Sequence, residues 1–349
     1  MKKTGGGPAG FPRIVVKAPN WIGDAVLSSA LFHEMRRFWP KSHVVVFARK
    51  KVLPVMRRLP GVDAVMEEEP GNLVRLSREV RAGRFDIAVS LSSSDIPALA
   101  FWLARVPMRI GFKGGLKGFF FSDAVEPPSR CVHQVFHYLK LGEPLGIGIP
   151  GNPSLAIRVT RTDRAEAAAF LRRRGVRTGA RLVAFAPGAS YGPAKRWFTS
   201  SWAVVGDAMQ LKHRATVVIV GGREERPAAL EVGRLMARPA VDATGALSLQ
   251  GTSGLLSMCR AFLSNDSGLM HLGAAVGVPT LGLFGSSNPS WTAPFGRGNR
   301  VIWGLVECAP CYLRKCLPKR NYACLHAIKA QEVCDVLAGL AGFEPVRKF

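Results

Sequence analysis

Three stretches of this chain hold residues whose types and spacing can do chemistry. The densest is Asn265–Gly285, NDSGLMHLGAAVGVPTLGLFG, where Asp266, Ser267, Gly268 and His271 follow an apolar, strand-like run at Cys259–Ser264. A helix is expected over about Leu269–Val276. Gly277–Val278–Pro279 stops it, and a buried strand at Thr280–Phe284 follows. Asp266 or Ser267 is placed to cap that helix, and Gly268 lets a ligand approach the backbone closely. Amide groups at a helix start, with the helix dipole behind them, suit a phosphate. His271 lies one turn on and can point back at the same spot. The plain alternative is a capped helix with a surface histidine. Asp-Ser-Gly-x-x-His between two buried strands favours a site.

The second stretch is the loop Pro187–Trp197, PGASYGPAKRW, with Ser190 and Lys195. A lysine in a Gly/Pro loop facing a helix start suits a diphosphate, one supplying charge and the other oriented donors. Taken alone, Lys195 also fits a solvated surface position. Glu224, after the next strand, is a further candidate in this half. The third stretch is Ala18–Asp24, a loop that ends in Asp24 at a strand-to-helix junction. A carboxylate there can take a proton from an acceptor hydroxyl, or simply cap the helix. A phosphate site in the other half of the chain favours the base.

No GxGxxG follows a strand and no GxxxxGK[ST] occurs, which argues against hydride transfer and P-loop hydrolysis. No Asp-x-Asp is present to clamp a metal–diphosphate. The residues point to transfer from a nucleotide-activated donor. Lys195 and the helix start would stabilise the leaving diphosphate, so one carboxylate base needs no separate acid. No cofactor is called for.

The elements that must position these residues alternate. Arg13–Lys17 and His43–Ala48 read as buried strands around a helix at Ala25–Phe38, a parallel βαβ unit. Strands at Val62–Met66, Phe85–Leu91 and Met108–Phe112 and helices at Leu73–Ala82 and Ile96–Leu103 continue the series. Lys113–Phe121, KGGLKGFFF, departs from it. It reads as an amphipathic loop that lines an acceptor groove or rests on a membrane, or as an ordinary loop with its phenylalanines tucked inward. A second series runs through a helix at Thr162–Arg174, strands at Leu182–Ala186, Thr216–Val220 and Ala240–Asp242, and helices at about Ser201–Leu211, Ala228–Met236 and Gly254–Cys259. The expected fold is α/β with two Rossmann-like domains and a cleft between them, residues 13–150 and 151–349, joined through the Gly/Pro-rich Gly142–Pro153. Residues 1–12 are read as a flexible tail. Ligands of such sheets bind off the carboxyl ends of the strands, where every loop named above lies.

The 349 residues carry a formal charge of +24, with 48% hydrophobic residues. That balance implies a globular chain with an anionic partner: nucleic acid, a phosphorylated substrate or an acidic membrane surface. No aromatic–basic stacking platform or nucleic-acid motif supports the first. No apolar run approaches the ~18–20 residues that span a bilayer, and MKKTGGGPAGFP lacks the apolar core of a signal peptide. A cytoplasmic protein with contact at a membrane surface is expected. Four of seven cysteines crowd into Cys308, Cys311, Cys316 and Cys324. Without an export signal a disulfide framework is disfavoured, and a metal knuckle and a reduced loop both remain open.

Lys17–Asp24 (KAPNWIGD), Gly188–Trp197 (GASYGPAKRW) and Asn265–His271 (NDSGLMH) resemble the lipopolysaccharide heptosyltransferases, the ADP-heptose-dependent enzymes of glycosyltransferase family nine. Asn-Trp-Ile-Gly-Asp is closer to the type II form. The resemblance runs from about residue 13 to 340. It implies a GT-B fold, inverting transfer of heptose from ADP-heptose to the lipopolysaccharide inner core, and Asp24 as base. By matching positions, Lys195 contacts the diphosphate, and Asp266, Ser267, Gly268 and His271 hold the ADP-heptose. Leu247, in LSLQG, matches a position near the adenine. Competing readings are a related family member with another nucleotide sugar or core acceptor, and a basic nucleic-acid-binding protein.

Overall fold

Parallel strands covered on both faces must be apolar along their whole length, and this chain supplies such runs twice over. The computed structural model describes residues 11–129 and 131–343; most of the expected tail at residues 1–12 lies outside the described residues. The chain divides into two compact units, Met1–Arg158 and Val159–Phe349.

In the first unit, β1 (Arg13–Lys17), β2 (His43–Ala48), β3 (Ala64–Glu67), β4 (Ile87–Ser90), β5 (Met108–Phe112) and β6 (Asp123–Val125) form one parallel sheet in the order β3-β2-β1-β4-β5-β6. Ile14, Val15 and Val16 are fully buried. The order reverses between β1 and β4, so the loops that follow these two strands flank a crevice at the carboxyl edge. The expected helix at Ala25–Phe38 is two helices, Ile22–Leu27 and Ser29–Phe38, parted at Ser28, whose hydroxyl donates to the carbonyl of Ala25. The chain stays with this unit through Arg158: Ala156 N donates to Ser29 Oγ and Arg158 N to the carbonyl of Arg58.

The second unit repeats the plan. Here β7 (Leu182–Ala186), β8 (Thr216–Ile219), β9 (Val241–Asp242), β10 (Ala261–Asn265), β11 (Thr280–Phe284) and β12 (Arg300–Trp303) pair in the order β12-β11-β10-β7-β8-β9, all parallel. Its reversal lies between β7 and β10. Trp202 is buried completely, edge-on to Phe185 and Trp197. Burying an apolar side chain of this size contributes about 1.5–3 kcal/mol, and Trp197 thereby anchors the end of the loop that follows β7. The helix expected at Gly254–Cys259 is instead Leu249–Leu256. Ser248 caps it by accepting from Gly251 N. A Cβ on Gly254 would stand 2.2 Å from the carbonyl oxygen of Asp163. The two glycines serve close packing on the helix Arg161–Arg173 and do not end a helix.

Candidate functional site

Both carboxyl edges gather the residues singled out from the sequence. In the second unit the loop after β7 carries Lys195 in a short 3₁₀ turn, Pro193–Lys195. Its ammonium pairs with Asp266 Oδ2, at the end of β10, so an ion pair spans the point where the strand order reverses. Both side chains are largely buried, at 16% and 5% exposed. Ser287, after β11, donates to the same oxygen at 2.5 Å. Asp266 is therefore not a helix cap. The N-cap of Gly268–Val276 is Ser267, which makes no side-chain cap bond and instead meets Ser264 Oγ at 3.3 Å. The amides of that first turn are left to another acceptor by the geometry of every helix start. The helix ends as expected at Gly277, in the left-handed region at φ 87°. His271 is buried, not a surface histidine.

Two positioning residues escape a local reading of the sequence. Asn265, fully buried, donates from Nδ2 to the carbonyl of Pro187 at 2.7 Å and accepts from Trp197 N at 3.2 Å. One side chain thus ties both ends of the lysine loop to β10. Glu224 is exposed, and its neighbour Glu225 turns inward instead. A Cβ on Gly188 would fall 2.4 Å from Glu225 Oε1, so a larger residue there would push the glutamate aside. Ser190 sits exposed in the turn. Leu247, half-buried, precedes Ser248, whose amide and hydroxyl both donate to Glu166.

The cysteine segment supports this same loop. Tyr191 Oη donates to the carbonyl of Tyr312 at 2.7 Å, Arg314 Nε donates to the carbonyl of Tyr191 at 2.8 Å, and Ala194 N donates to the carbonyl of Arg314. The Arg314 guanidinium lies over the Tyr191 ring, and Lys195 Nζ lies 4.9 Å from its centre. Cys324 is buried, and burial pushes its thiol up, with Cys308, Cys311 and Cys316 adding to the effect. Among the described residues no three His, Cys, Asp or Glu stand grouped so as to hold a metal ion. A cavity of about 1180 Å³ lined by Arg181, Arg214, Arg260 and Lys212 lies at the opposite, amino edge of the sheet, away from these residues.

In the first unit Asp24 is the third residue of Ile22–Leu27, whose N-cap is Trp21; the capping alternative for Asp24 does not hold. Its Oδ1 accepts from Gln134 Nε2 at 2.7 Å, from a helix, Gln134–Lys140, that the sequence did not reveal. Tyr138, one turn along, is buried beside Asp24; burial and that charge push its phenol well above the usual value. Lys17, at the end of β1, is buried and paired with Glu68 at 2.9 Å.

The sequence profile of glycosyltransferase family 9 (heptosyltransferase) matches residues 73–322. The chain belongs to glycosyltransferase family 9. It is a transferase with the GT-B fold of its structural relatives. The solved structure of E. coli ADP-heptose lipopolysaccharide heptosyltransferase II covers 94% of this chain and 98% of its own, with a TM-score of 0.81 and 27% identity. A family 9 glycosyltransferase from Veillonella parvula gives a TM-score of 0.84 and 25% identity over 95% of this chain and 97% of its own. Lipopolysaccharide heptosyltransferase 2 of Salmonella typhimurium is 29% identical over 308 residues, 83% of this chain and 87% of the relative. Lipooligosaccharide heptosyltransferase 2 of Haemophilus ducreyi is 28% identical over 327 residues, 89% of this chain and 93% of the relative.

Proposed function

We propose that this family 9 enzyme transfers heptose from ADP-heptose to the lipopolysaccharide inner core, with inversion, as heptosyltransferase II does. The observation that carries the reading is the Lys195–Asp266 pair at the strand-order reversal, beside the start of Gly268–Val276. Lys195 meets the diphosphate, and the helix start supplies oriented N–H groups. Asp266, Ser267, Gly268 and His271 hold the rest of the ADP-heptose, with Ser190 and Leu247 at its margins, Leu247 toward the adenine. Asp24 takes the proton of the acceptor hydroxyl as that oxygen bonds to the anomeric carbon. The bond from that carbon to the diphosphate breaks, and ADP leaves with its charge stabilised by Lys195. Gln134 keeps the Asp24 carboxylate oriented. The acceptor is a glycolipid, so the enzyme works at the cytoplasmic face of the inner membrane, in peripheral contact with it. Incubation with ADP-heptose and a heptose-deficient core acceptor tests the reading. Release of ADP coupled to a heptose-bearing product supports it, and no transfer from ADP-heptose refutes it.

A further inference from the structure

The segment Lys113–Phe121 divides its phenylalanines between core and solvent. Phe121 is buried against Gly111, where a Cβ would stand 2.2 Å from its ring. Phe119 is 83% exposed and Leu116 67%. Leu116 caps and Phe119 lies within a short helix, Lys117–Phe120, that Arg109 fixes in place by donating from Nε to the carbonyl of Phe120 at 2.7 Å and from Nη1 to that of Val106 at 2.6 Å. This helix packs against Ile96–Leu103, with the rings of Trp102 and Phe120 5.9 Å apart. Trp102 is half-exposed at 50%, and Leu103 at 37% is next to it. Four large apolar side chains on two neighbouring helices thus face solvent together. A patch of this kind marks an interaction site.

Charge decides what it meets. Arg81 reaches Leu103 from the adjoining helix Leu73–Ala82, and Arg105 follows two residues later, both exposed. Lys113 and Lys117 lie on the segment itself, and Lys117 donates to the carbonyl of Ser93 after β4. Carboxylates stand nearby as well: Glu126 engaged by Lys113, Asp95 beside Gly115, and Asp123, which accepts from the Ser122 hydroxyl at 2.7 Å. An aromatic and leucine tip ringed by arginine and lysine matches the boundary of an anionic bilayer: rings and leucines at headgroup depth, cations at the phosphates. The segment leaves β5 at the carboxyl edge, where Lys117 meets Ser93, and runs back to the amino edge, where Ser122 N donates to the carbonyl of Arg109 at the start of β5 and where Arg81, Leu103 and Arg105 also lie.

We propose that Trp102, Leu103, Leu116 and Phe119, with Arg81 and Arg105, form the face that docks the first unit on an anionic phospholipid membrane. This rests on the reading that the acceptor is a membrane glycolipid and says which surface meets the membrane.

The test is flotation of full-length protein with vesicles of phosphatidylethanolamine and phosphatidylglycerol, without acceptor, against phosphatidylcholine vesicles. Wild type is expected to float with the anionic vesicles and to release as salt rises. L116S/F119S and, separately, R81E/R105E are expected to bind at least about tenfold less, with circular dichroism and the thermal unfolding profile at wild-type values as evidence of fold. Failure of wild type to float, or flotation of both variants at the wild-type level, overturns the proposal. So does a concentration-dependent dimer in sedimentation that L116S/F119S abolishes, since the patch would then meet a second copy. Because the vesicles hold no acceptor and ADP-heptose is absent, failure here leaves transfer to a delipidated, water-soluble core acceptor as a separate test of the function.

Discussion

Breaking the Lys195–Asp266 pair should cost both stability and ADP affinity, in amounts that the structure bounds. Removing Lys195 leaves a carboxylate that is 5% exposed with only Ser287 on the paired oxygen. Breaking an enclosed pair costs about 3–5 kcal/mol. Lys195 keeps some contact with solvent, which brings the expectation to about 1–3 kcal/mol. In a unit of this size that lowers Tm by roughly 3–10 °C. Lys195→Met and Asp266→Asn should each show such a loss. The double variant, which leaves no orphan charge, should be more stable than the sum of the two by about 1 kcal/mol or more. On the ligand side, Lys195→Met removes a charged hydrogen bond to the diphosphate worth about 1.5–3 kcal/mol, or roughly 10–150-fold in Kd. Thermal and urea unfolding read the first quantity, and calorimetry with ADP the second. Strictly additive stability losses would refute the buried-pair argument. Wild-type ADP affinity in both single variants would remove the donor site from this edge.

Gln134→Leu should lower kcat about tenfold, the loss of one charge-assisted hydrogen bond of about 1.5 kcal/mol, with ADP affinity intact; a change in ADP affinity alone would contradict its link to Asp24. Arg314→Ala should weaken ADP binding several-fold, by loosening the loop around Tyr191, while turnover at saturating donor stays near wild type; equal ADP affinity would show that the cysteine segment does not support the loop. Prolonged EDTA treatment should leave ADP affinity unchanged, because hydrogen bonds through Tyr312 and Arg314 hold that segment to the loop, whereas loss of affinity restored by metal would revive the metal knuckle. Burial pushes the thiol of Cys259 up to about 12 and that of Cys334 to about 11. At pH 8 both are protonated, so thiol titration of native protein should modify exposed Cys131 first, half-buried Cys259 more slowly, and buried Cys334 only on unfolding; fast native labelling of Cys334, by mass spectrometry, would contradict its burial.

The sheets were legible because strands buried on both faces leave unbroken apolar runs. Arg13–Lys17, His43–Ala48, Met108–Phe112, Leu182–Ala186 and Thr280–Phe284 stand where the sequence puts them. The edge strands Asp123–Val125 and Arg300–Trp303 are short and partly polar, and carry no such signal. Leu249–Leu256 was expected at Gly254–Cys259, because glycines inside a helix blur its apolar pattern; here the missing side chains of Gly251 and Gly254 admit Glu166 and the backbone at Asp163. At the site, Lys195 and Asp266 were recognisable from loop chemistry and position. Their supports were not: Ser287, Asn265 and Gln134 act across tens of residues, which leaves no periodicity or spacing to read. For Asp24 the sequence left base and cap open, and only the helix boundary at Trp21 separates them.

The central claim is that Asp24 is the base, and Asp24→Asn tests it most directly. Asn keeps the shape and can still face Gln134, but cannot accept the hydroxyl proton. Single-turnover transfer is measured with ADP-heptose saturating, alongside ADP calorimetry. The expected result is unchanged ADP affinity with transfer slowed about 10²–10⁴-fold. Transfer by the Asn variant at near the wild-type rate would contradict the account.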